Sequence, residues 1–484
     1  MTNHPLRVAV IGAGPAGIAA GHALLQQGFD NITLFEKSDA VGGTWHLHTY
    51  PGLACDLWAH SYTFASRPNP NWSASFVEQP EIEQYLQQSC TAFGLDQYVK
   101  LNTKITHAEF SDNRTWRLTS EAGETFSFDV VINAMGNQHT AAYPDVEGIN
   151  SFSGDSWHGT RWNHDVDLQD KRVAIIGSAA SAIQIVPELA KQAAHLTVLQ
   201  RTPNWIMARG RKFYSKSLIN LFNWLPGLVN AYRHIQAYMM SFTVEGVTLG
   251  HKRMNQFEKM AKDYLHQVIK DPDLRETLTP KSRYGCKRGL VSDDFYPALL
   301  RDNVDLVAEG LKAVRPQGIT TASGLEIDVD VIIYCTGYHI LDYDRIHVSG
   351  LGGKLLAEEM EKSPTAYMGI AATDFPNYFF AAGPNGLAIN ASYFANVERN
   401  VKTIVSLLVE KQKSGIHALV VNPNICNAYN QDLSLKFSQF SWGASNCNSY
   451  YRTASGHAPF LFPGSFKEYN NLHNSCNISA FDSL

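Results

Sequence analysis

Residues 6–36 read LRVAVIGAGPAGIAAGHALLQQGFDNITLFE. Leu6–Ile11 is a short apolar, β-branched run. Gly12-Ala13-Gly14-Pro15-Ala16-Gly17 follows at once, and an apolar helical pattern runs on through Ile18, Ala19, Ala20, Ala23, Leu24 and Leu25. A second strand-like run, Ile32–Phe35, ends in Glu36. Strand, glycine turn, helix, strand and acid in this order spell a βαβ unit that holds a dinucleotide. Gly12 permits the tight turn, Gly14 lets a pyrophosphate approach the backbone, and Gly17 lets helix and strand pack closely. The helix N-terminus turns its positive dipole end to the phosphates, and Glu36 is placed to accept from a ribose diol.

The same grammar returns at Arg172–Ile176. Gly177-Ser178-Ala179-Ala180-Ser181-Ala182 follows, then a helix to about Gln192 and a strand at Leu196–Leu199. This copy ends in Gln200-Arg201-Thr202, not in an acid. An arginine suits a 2′-phosphate that a carboxylate would repel. The acid-ended site therefore suits FAD and the arginine-ended site NADPH, with hydride transfer between them. Ala179 takes the place of the middle glycine and crowds a phosphate there.

Strand-like runs resume late, at Val329–Tyr334 and Tyr378–Ala382. The expected fold class is α/β: two dinucleotide-binding, Rossmann-like domains, the NADP domain inserted in the FAD domain. The expected boundaries are 1–143 with 339–484 for FAD, 144–211 with 280–338 for NADP, and 212–279 for a mostly helical insertion where glycines thin out. The aromatic stripe Phe222, Trp224, Tyr232, Tyr238 in that insertion suits a membrane surface or a packed core. Apolar helix faces usually pack, so peripheral membrane contact is the lesser expectation.

The chain has 484 residues, 44% hydrophobic and 18% charged, a globular composition. Forty Lys and Arg against 45 Asp and Glu leave a net charge of −5 and no footprint for nucleic acid. The seven cysteines (Cys55, Cys90, Cys286, Cys335, Cys426, Cys447, Cys476) are odd in number, widely spaced and without C-x-x-C. Reduced thiols are expected, with no disulfide scaffold and no metal. With no leader pattern and no long apolar run, a cytoplasmic protein without a transmembrane segment is expected. The lack of C-x-x-C also removes a disulfide acceptor, and O2 is the obvious alternative electron sink.

Two further stretches carry a family resemblance. They are Gly42-Gly43-Thr44-Trp45-His46-Leu47-His48-Thr49-Tyr50-Pro51-Gly52-Leu53-Ala54-Cys55-Asp56 and Phe152-Ser153-Gly154-Asp155-Ser156-Trp157-His158-Gly159-Thr160-Arg161-Trp162. They resemble the two signature patterns of type I Baeyer–Villiger monooxygenases, with every fixed position filled. The wider group, the class B flavoprotein monooxygenases of the flavin-containing monooxygenase superfamily, includes N- and S-oxygenating enzymes. Those usually carry Tyr or Phe where Trp162 stands, so Trp162 favours the Baeyer–Villiger branch.

The resemblance implies roles. Arg288 would lie over the flavin and stabilise the peroxide anion formed at its C4a, with Asp56 paired to it as the second catalytic residue. Gly43, Thr44, Trp45 and Asp56 would join Gly12, Gly14, Gly17 and Glu36 around FAD. Gly177, Ser178, Ser181, Gln184, Arg201, Thr202 and Lys287 would hold NADP. Phe152, Gly154, His158 and Trp162 form a structural and conformational signature, His158 sitting near the interdomain linkers. The implied reaction inserts one atom of O2 beside the carbonyl of a small apolar ketone or aldehyde, giving an ester or lactone. The alternatives are oxygenation of a thioether or amine, oxygenation of long-chain or steroid-like substrates, and a non-catalytic flavin-binding protein. Ala179, Met135, Asn163, Tyr450 and a shortened Gly383–Leu387 run depart from the family pattern and bear on pocket shape and NADP contacts.

Overall fold

The computed structural model describes residues 6–340, 342–444, 447, 449, 451–453 and 456–484; Tyr450 lies outside them. In the first unit β1 (Val8–Ile11) leads to α1 (Pro15–Gln26) and β2 (Ile32–Phe35). Pro15 sits in the first turn of α1, where its missing N–H leaves no helix bond unmade. The sheet is wholly parallel, in the order Tyr378–Phe380, Val130–Asn133, β1, β2, Val99–Lys100. Alternate β1 residues serve two cores. Val8 and Val10 pack with the helices, while Ala9 and Ile11 pack with Trp116 and Leu118 of a mixed, mainly antiparallel sheet on the other face.

The second unit repeats the plan with β3 (Arg172–Ile176), α2 (Ala182–Leu189) and β4 (His195–Leu199). Its parallel sheet runs Val304–Val307, β4, β3, Val331–Tyr334, Asp155–His158. The chain thus leaves the first sheet after Val130–Asn133, completes the second, and returns to the first at Tyr378–Phe380. Between β4 and the return come α3 (Lys216–Trp224), α4 (Pro226–Ser241) and α5 (Lys252–Val268). A long helix, α6 (Tyr393–Ser414), then packs on α1.

Two expectations change. The stripe in the insertion splits: Phe222 and Tyr232 close around His60 with Tyr214, whereas Trp224 and Tyr238 stand in solvent. Helical spacing predicts one face; the break between α3 and α4 at Leu225–Pro226 turns the aromatics to two. The cysteines are not all free thiols either, because Cys286 and Cys447 form a disulfide. The partners are 161 residues apart, so no local spacing announces the bond. Among the described residues no helix is long and apolar enough to cross a membrane.

Burial holds five histidines well below the usual imidazole range: His48, His60 and His158 at about 4, His139 and His473 at about 3. Nearby cations add to the effect for His48, His139, His158 and His473. The unfolded chain takes up protons at these groups that the fold refuses. Their stabilisation is therefore present above about pH 6.5 and lost as pH falls toward 4. Glu398, raised by burial to about 7, opposes this, as do Asp342, raised by burial, and His46, raised against burial by its carboxylate partners Glu83 and Asp39. The melting temperature, followed by circular dichroism, is expected to fall steadily from pH 7 to pH 5. A flat profile would mean these imidazoles are not buried.

Candidate active site

The first glycine turn is dictated by contact. Gly12 adopts a left-handed φ of 105°, and a Cβ there would lie 2.7 Å from the Ala134 carbonyl oxygen. A Cβ on Gly17 would lie 1.8 Å from the Gly12 carbonyl oxygen. Gly14 and Gly43 face each other backbone to backbone; a Cβ on Gly43 would approach the Gly14 Cα to 2.9 Å. Glu36 accepts from the backbone N–H groups of Ala13 (2.9 Å) and Ser38 (3.0 Å). A carboxylate has about four acceptor positions, so two remain for a diol. Lys37, Lys104, Arg161 and Arg345 crowd the same end. Burial, with repulsion from those cations against the pull of Glu36, brings Lys37 down to about 8. A dinucleotide's phosphates and ribose fit this cradle, in which acceptor and excess positive charge are both supplied. Thr44 opens a short helix against it, and Trp45 is buried with its indole N–H donating to Tyr62 Oη at 3.1 Å.

The second turn mirrors the first. Gly177 has φ 112°, and a Cβ there would meet the Cys335 carbonyl oxygen at 2.5 Å. Beyond β4, Lys287 Nζ donates to Thr202 Oγ1. Burial and the adjacent Arg201 hold Lys287 below the usual lysine range. Two cations and a hydroxyl at this strand end fit a 2′-phosphate, and the exposed Ala179 leaves the turn open. Arg201→Ala is expected to raise the KM for NADPH roughly tenfold while moving that for NADH little. Equal changes for both nucleotides in steady-state assays would remove the 2′-phosphate contact.

Gln184 lines the cavity of the site and also bridges the two units. Its side-chain carbonyl accepts from Tyr50 Oη (3.1 Å), and its amide donates to the Ala54 carbonyl (2.9 Å). Ser181 faces the hydroxyls of Tyr50 and Tyr338, and Ser178 offers its carbonyl to Asn204. A side chain on Gly52 would run into the Gln184 backbone carbonyl oxygen at 2.4 Å. The Tyr50–Asp56 loop is thereby laid on α2 of the second unit, which carries Asp56 across the seam.

Arg288 meets Asp56 there. Its Nε and Nη2 donate to Oδ2 and Oδ1, each at 2.8 Å, a two-bond fork that fixes the plane of the guanidinium. Leu290–Val291 pairs in parallel with Ile206–Met207 just beyond Arg288, and the Cys286–Cys447 bond ties down the other side. Buried Tyr284 leans on Gly289, where a Cβ would be 2.2 Å from its hydroxyl.

The signature stretch works as a support. Gly154 leaves room for the Phe152 ring; a Cβ would lie 2.8 Å from it and 2.5 Å from the Asp330 carbonyl. Trp162 meets Trp157 edge to face at 5.6 Å. His158 is buried, with Nδ1 against Thr160 Oγ1 at 2.9 Å and its ring between Tyr143 and Tyr338 at the linkers. Its low pKa keeps the ring neutral at pH 7.

Among the departures, Met135 is half-buried at the first linker and Asn163 caps its own turn through Asp165 N–H. The Gly383–Leu387 turn is held by Asn385, whose amide donates to the Ala458 and Leu461 carbonyls at 2.9 and 2.7 Å.

Gly12, Gly14, Glu36, Asp56 and Arg288 line one cavity of about 2700 Å³ together with Gly177, Ser181, Gln184, Arg201, Thr202, Lys287 and His158, whereas Gly17, Phe152, Gly154 and Trp162 lie behind its wall. That volume exceeds what one small ligand needs, roughly 300–1,000 Å³. The sequence reading missed Tyr50, Tyr284 and the Lys37 cluster. Tyr50 stands in the quoted signature stretch and Lys37 directly follows Glu36, whereas Tyr284 left no such signal. Among the described residues no cluster of three or more metal-ligating side chains occurs.

Comparison with known proteins agrees with this geometry. Residues 5–347 match the flavin-binding monooxygenase-like family. A Baeyer-Villiger monooxygenase of Pseudomonas aeruginosa is 35% identical, the match covering 98% of this chain and 91% of that protein. One from Streptomyces coelicolor is 34% identical over 99% and 93%. The crystal structure of OTEMO in complex with FAD and NADP superposes with a TM-score of 0.88 at 25% identity, covering 99% of both chains. The chain belongs to the flavin-binding monooxygenase-like family.

Proposed function

We propose that this chain is an FAD- and NADPH-dependent monooxygenase of the Baeyer–Villiger type, inserting one oxygen atom of O2 beside a ketone or aldehyde carbonyl to give an ester or lactone. The observation that carries the reading is the Arg288–Asp56 fork inside the cavity shared by both glycine turns. When bound, FAD supplies the redox chemistry, taking a hydride from NADPH and passing electrons to O2.

The residues supply the rest. Glu36 and the Gly12–Gly17 turn orient one dinucleotide; Arg201, Thr202 and Lys287 select the phosphorylated form of the other. Arg288 places fixed positive charge where negative charge develops on oxygen, and Asp56 sets its orientation. Apolar side chains such as Val247, Phe257, Leu387 and Leu461 line the same cavity and exclude water from the reacting oxygen. His158 holds the linkers in place and moves no proton. The division into 1–143 with 339–484, 144–211 with 280–338, and 212–279 is part of the reading. It is supported by the interleaved strand order of the two sheets. A cytoplasmic setting, where NADPH is supplied, and a small apolar carbonyl substrate complete it.

A panel of ketones, aldehydes and thioethers, followed by NADPH consumption and hydrogen peroxide release together, tests the proposal. Ester or lactone formation with little peroxide is expected from at least one ketone. Sulfoxides from thioethers with no ester from any ketone would overturn it.

A further inference from the structure

Helix α4 is apolar on two faces. The inner one carries Val229, Gln236 and Met240, all buried. It docks on Ala59–Ser61: Ser61 N–H donates to Gln236 Oε1 at 3.0 Å, and Ser61 Oγ lies 3.3 Å from Met240 Sδ. The outer face carries Leu228, Ala231, Ile235 and Tyr238, spaced three and four apart and therefore in one row. A surface helix normally shows water polar residues there. Here Ile235 is 55% exposed, Tyr238 66%, and Trp224 at the end of α3 77%. Among the described residues nothing covers them.

Two observations say what does. The first is charge. Between Glu188 and Glu245 the sequence has no acidic residue, while Lys212 and Lys216 stand exposed beside α3. Glu78 is already taken up by Arg211 next to Lys212, and a second copy of the chain would bring the same acid-free helices α3 and α4 to those lysines, whereas anionic headgroups would pair with them. Trp and Tyr at the edge of an apolar face are also the side chains that settle at a bilayer interface. The second observation is position. Met239, Leu249 and Met260 are exposed and also line the cavity, so the apolar surface runs on into its mouth.

We propose that the α3–α4 face lies on the surface of a bilayer containing anionic lipid, Trp224, Ile235 and Tyr238 entering the acyl boundary and Lys212 and Lys216 meeting the headgroups. The cavity mouth then opens toward the phase in which apolar molecules are dissolved. The docking is independent of the oxygenation chemistry and is read without substrate.

The test is flotation of the FAD-loaded full chain with vesicles of phosphatidylcholine alone or mixed equally with phosphatidylglycerol. The unsubstituted chain is expected to float with the mixed vesicles and much less with the neutral ones. Replacing the three apolar side chains together, W224S/I235S/Y238S, is expected to lower partitioning roughly tenfold or more. K212E/K216E is expected to lower it about tenfold, as does raised salt. Neither variant touches the residues assigned to the cofactors, so both should oxidise NADPH with a short, water-soluble ketone at the unsubstituted rate, which shows that they fold. Failure of the unsubstituted chain to float with mixed vesicles would overturn the proposal, as would flotation indifferent to the triple substitution. A dimer in sedimentation velocity that the triple substitution splits, with no flotation, would assign the face to a second copy instead.

Discussion

Arg288→Ala is expected to leave the reduction of bound flavin by NADPH near its unsubstituted rate and to lower ester formation on the order of 10²–10³-fold. The reason is where the charge sits. Hydride transfer needs the two dinucleotides aligned, a task of the glycine turns, Glu36 and the Arg201–Lys287 pair. Oxygen insertion needs positive charge at a fixed place as negative charge develops on oxygen. In the proposed reading the Arg288 guanidinium, held by two 2.8 Å bonds, supplies it. Electrons taken from NADPH should then leave as hydrogen peroxide in near-equal amount. Arg288→Lys is expected to recover only part of the product, because an ammonium cannot make the two-bond fork with Asp56. Asp56→Asn should fall between the two, keeping a hydrogen-bonding partner but losing the charge that orients the fork. Anaerobic bleaching of the flavin, followed by product and peroxide assays, separates the two half-reactions. An unchanged product yield in Arg288→Ala would remove Arg288 from the chemistry.

Gly17→Ala is the second large effect, and its target is the flavin itself. The new Cβ would lie 1.8 Å from the Gly12 carbonyl oxygen, a backbone atom that no rotamer change can move. Relief requires α1 to lift from β1, yet α1 is pinned from outside by α6. Overpacking of this kind costs about 1–3 kcal/mol or more, and here it also displaces the N–H groups proposed to meet the pyrophosphate. The variant is expected to purify with most of its yellow colour lost and with a lowered melting temperature. Gly28→Ala is the control. Its φ of 80° strains an alanine, but nothing lies within 4 Å of the added Cβ, so flavin content should hold. A fully flavinated Gly17→Ala protein would mean that this turn does not carry the cofactor.

The parts of this molecule that were legible in the sequence are those fixed by short-range rules. Gly12, Gly17 and Gly177 are required by backbone contacts a few residues or one strand away, and Glu36 and Arg201 end the strands that follow. The parts that stayed hidden are products of the seam between the two units. Gln184 is a nucleotide contact only by the family resemblance, and no local pattern announces that its amide also bridges to Tyr50 and Ala54 of the other unit. The Cys286–Cys447 bond joins segments that only the folded chain brings together. The Phe222–Tyr238 stripe misled for another reason. Helical spacing records which residues share a face, but a helix apolar on two faces leaves open which one is covered. Asp56 and Arg288 are an intermediate case. They are 232 positions apart, and no periodicity pairs them; the family resemblance did.

The central claim is that electrons from NADPH reach a carbonyl substrate as an inserted oxygen atom. Incubation of the FAD-loaded chain with NADPH, a ketone and isotopically labelled O2, followed by mass spectrometry of the products, tests it most directly. An ester or lactone carrying a single labelled oxygen atom beside the former carbonyl is expected. Unlabelled ester, or consumption of NADPH that ends only in labelled hydrogen peroxide for every ketone and aldehyde offered, would contradict it.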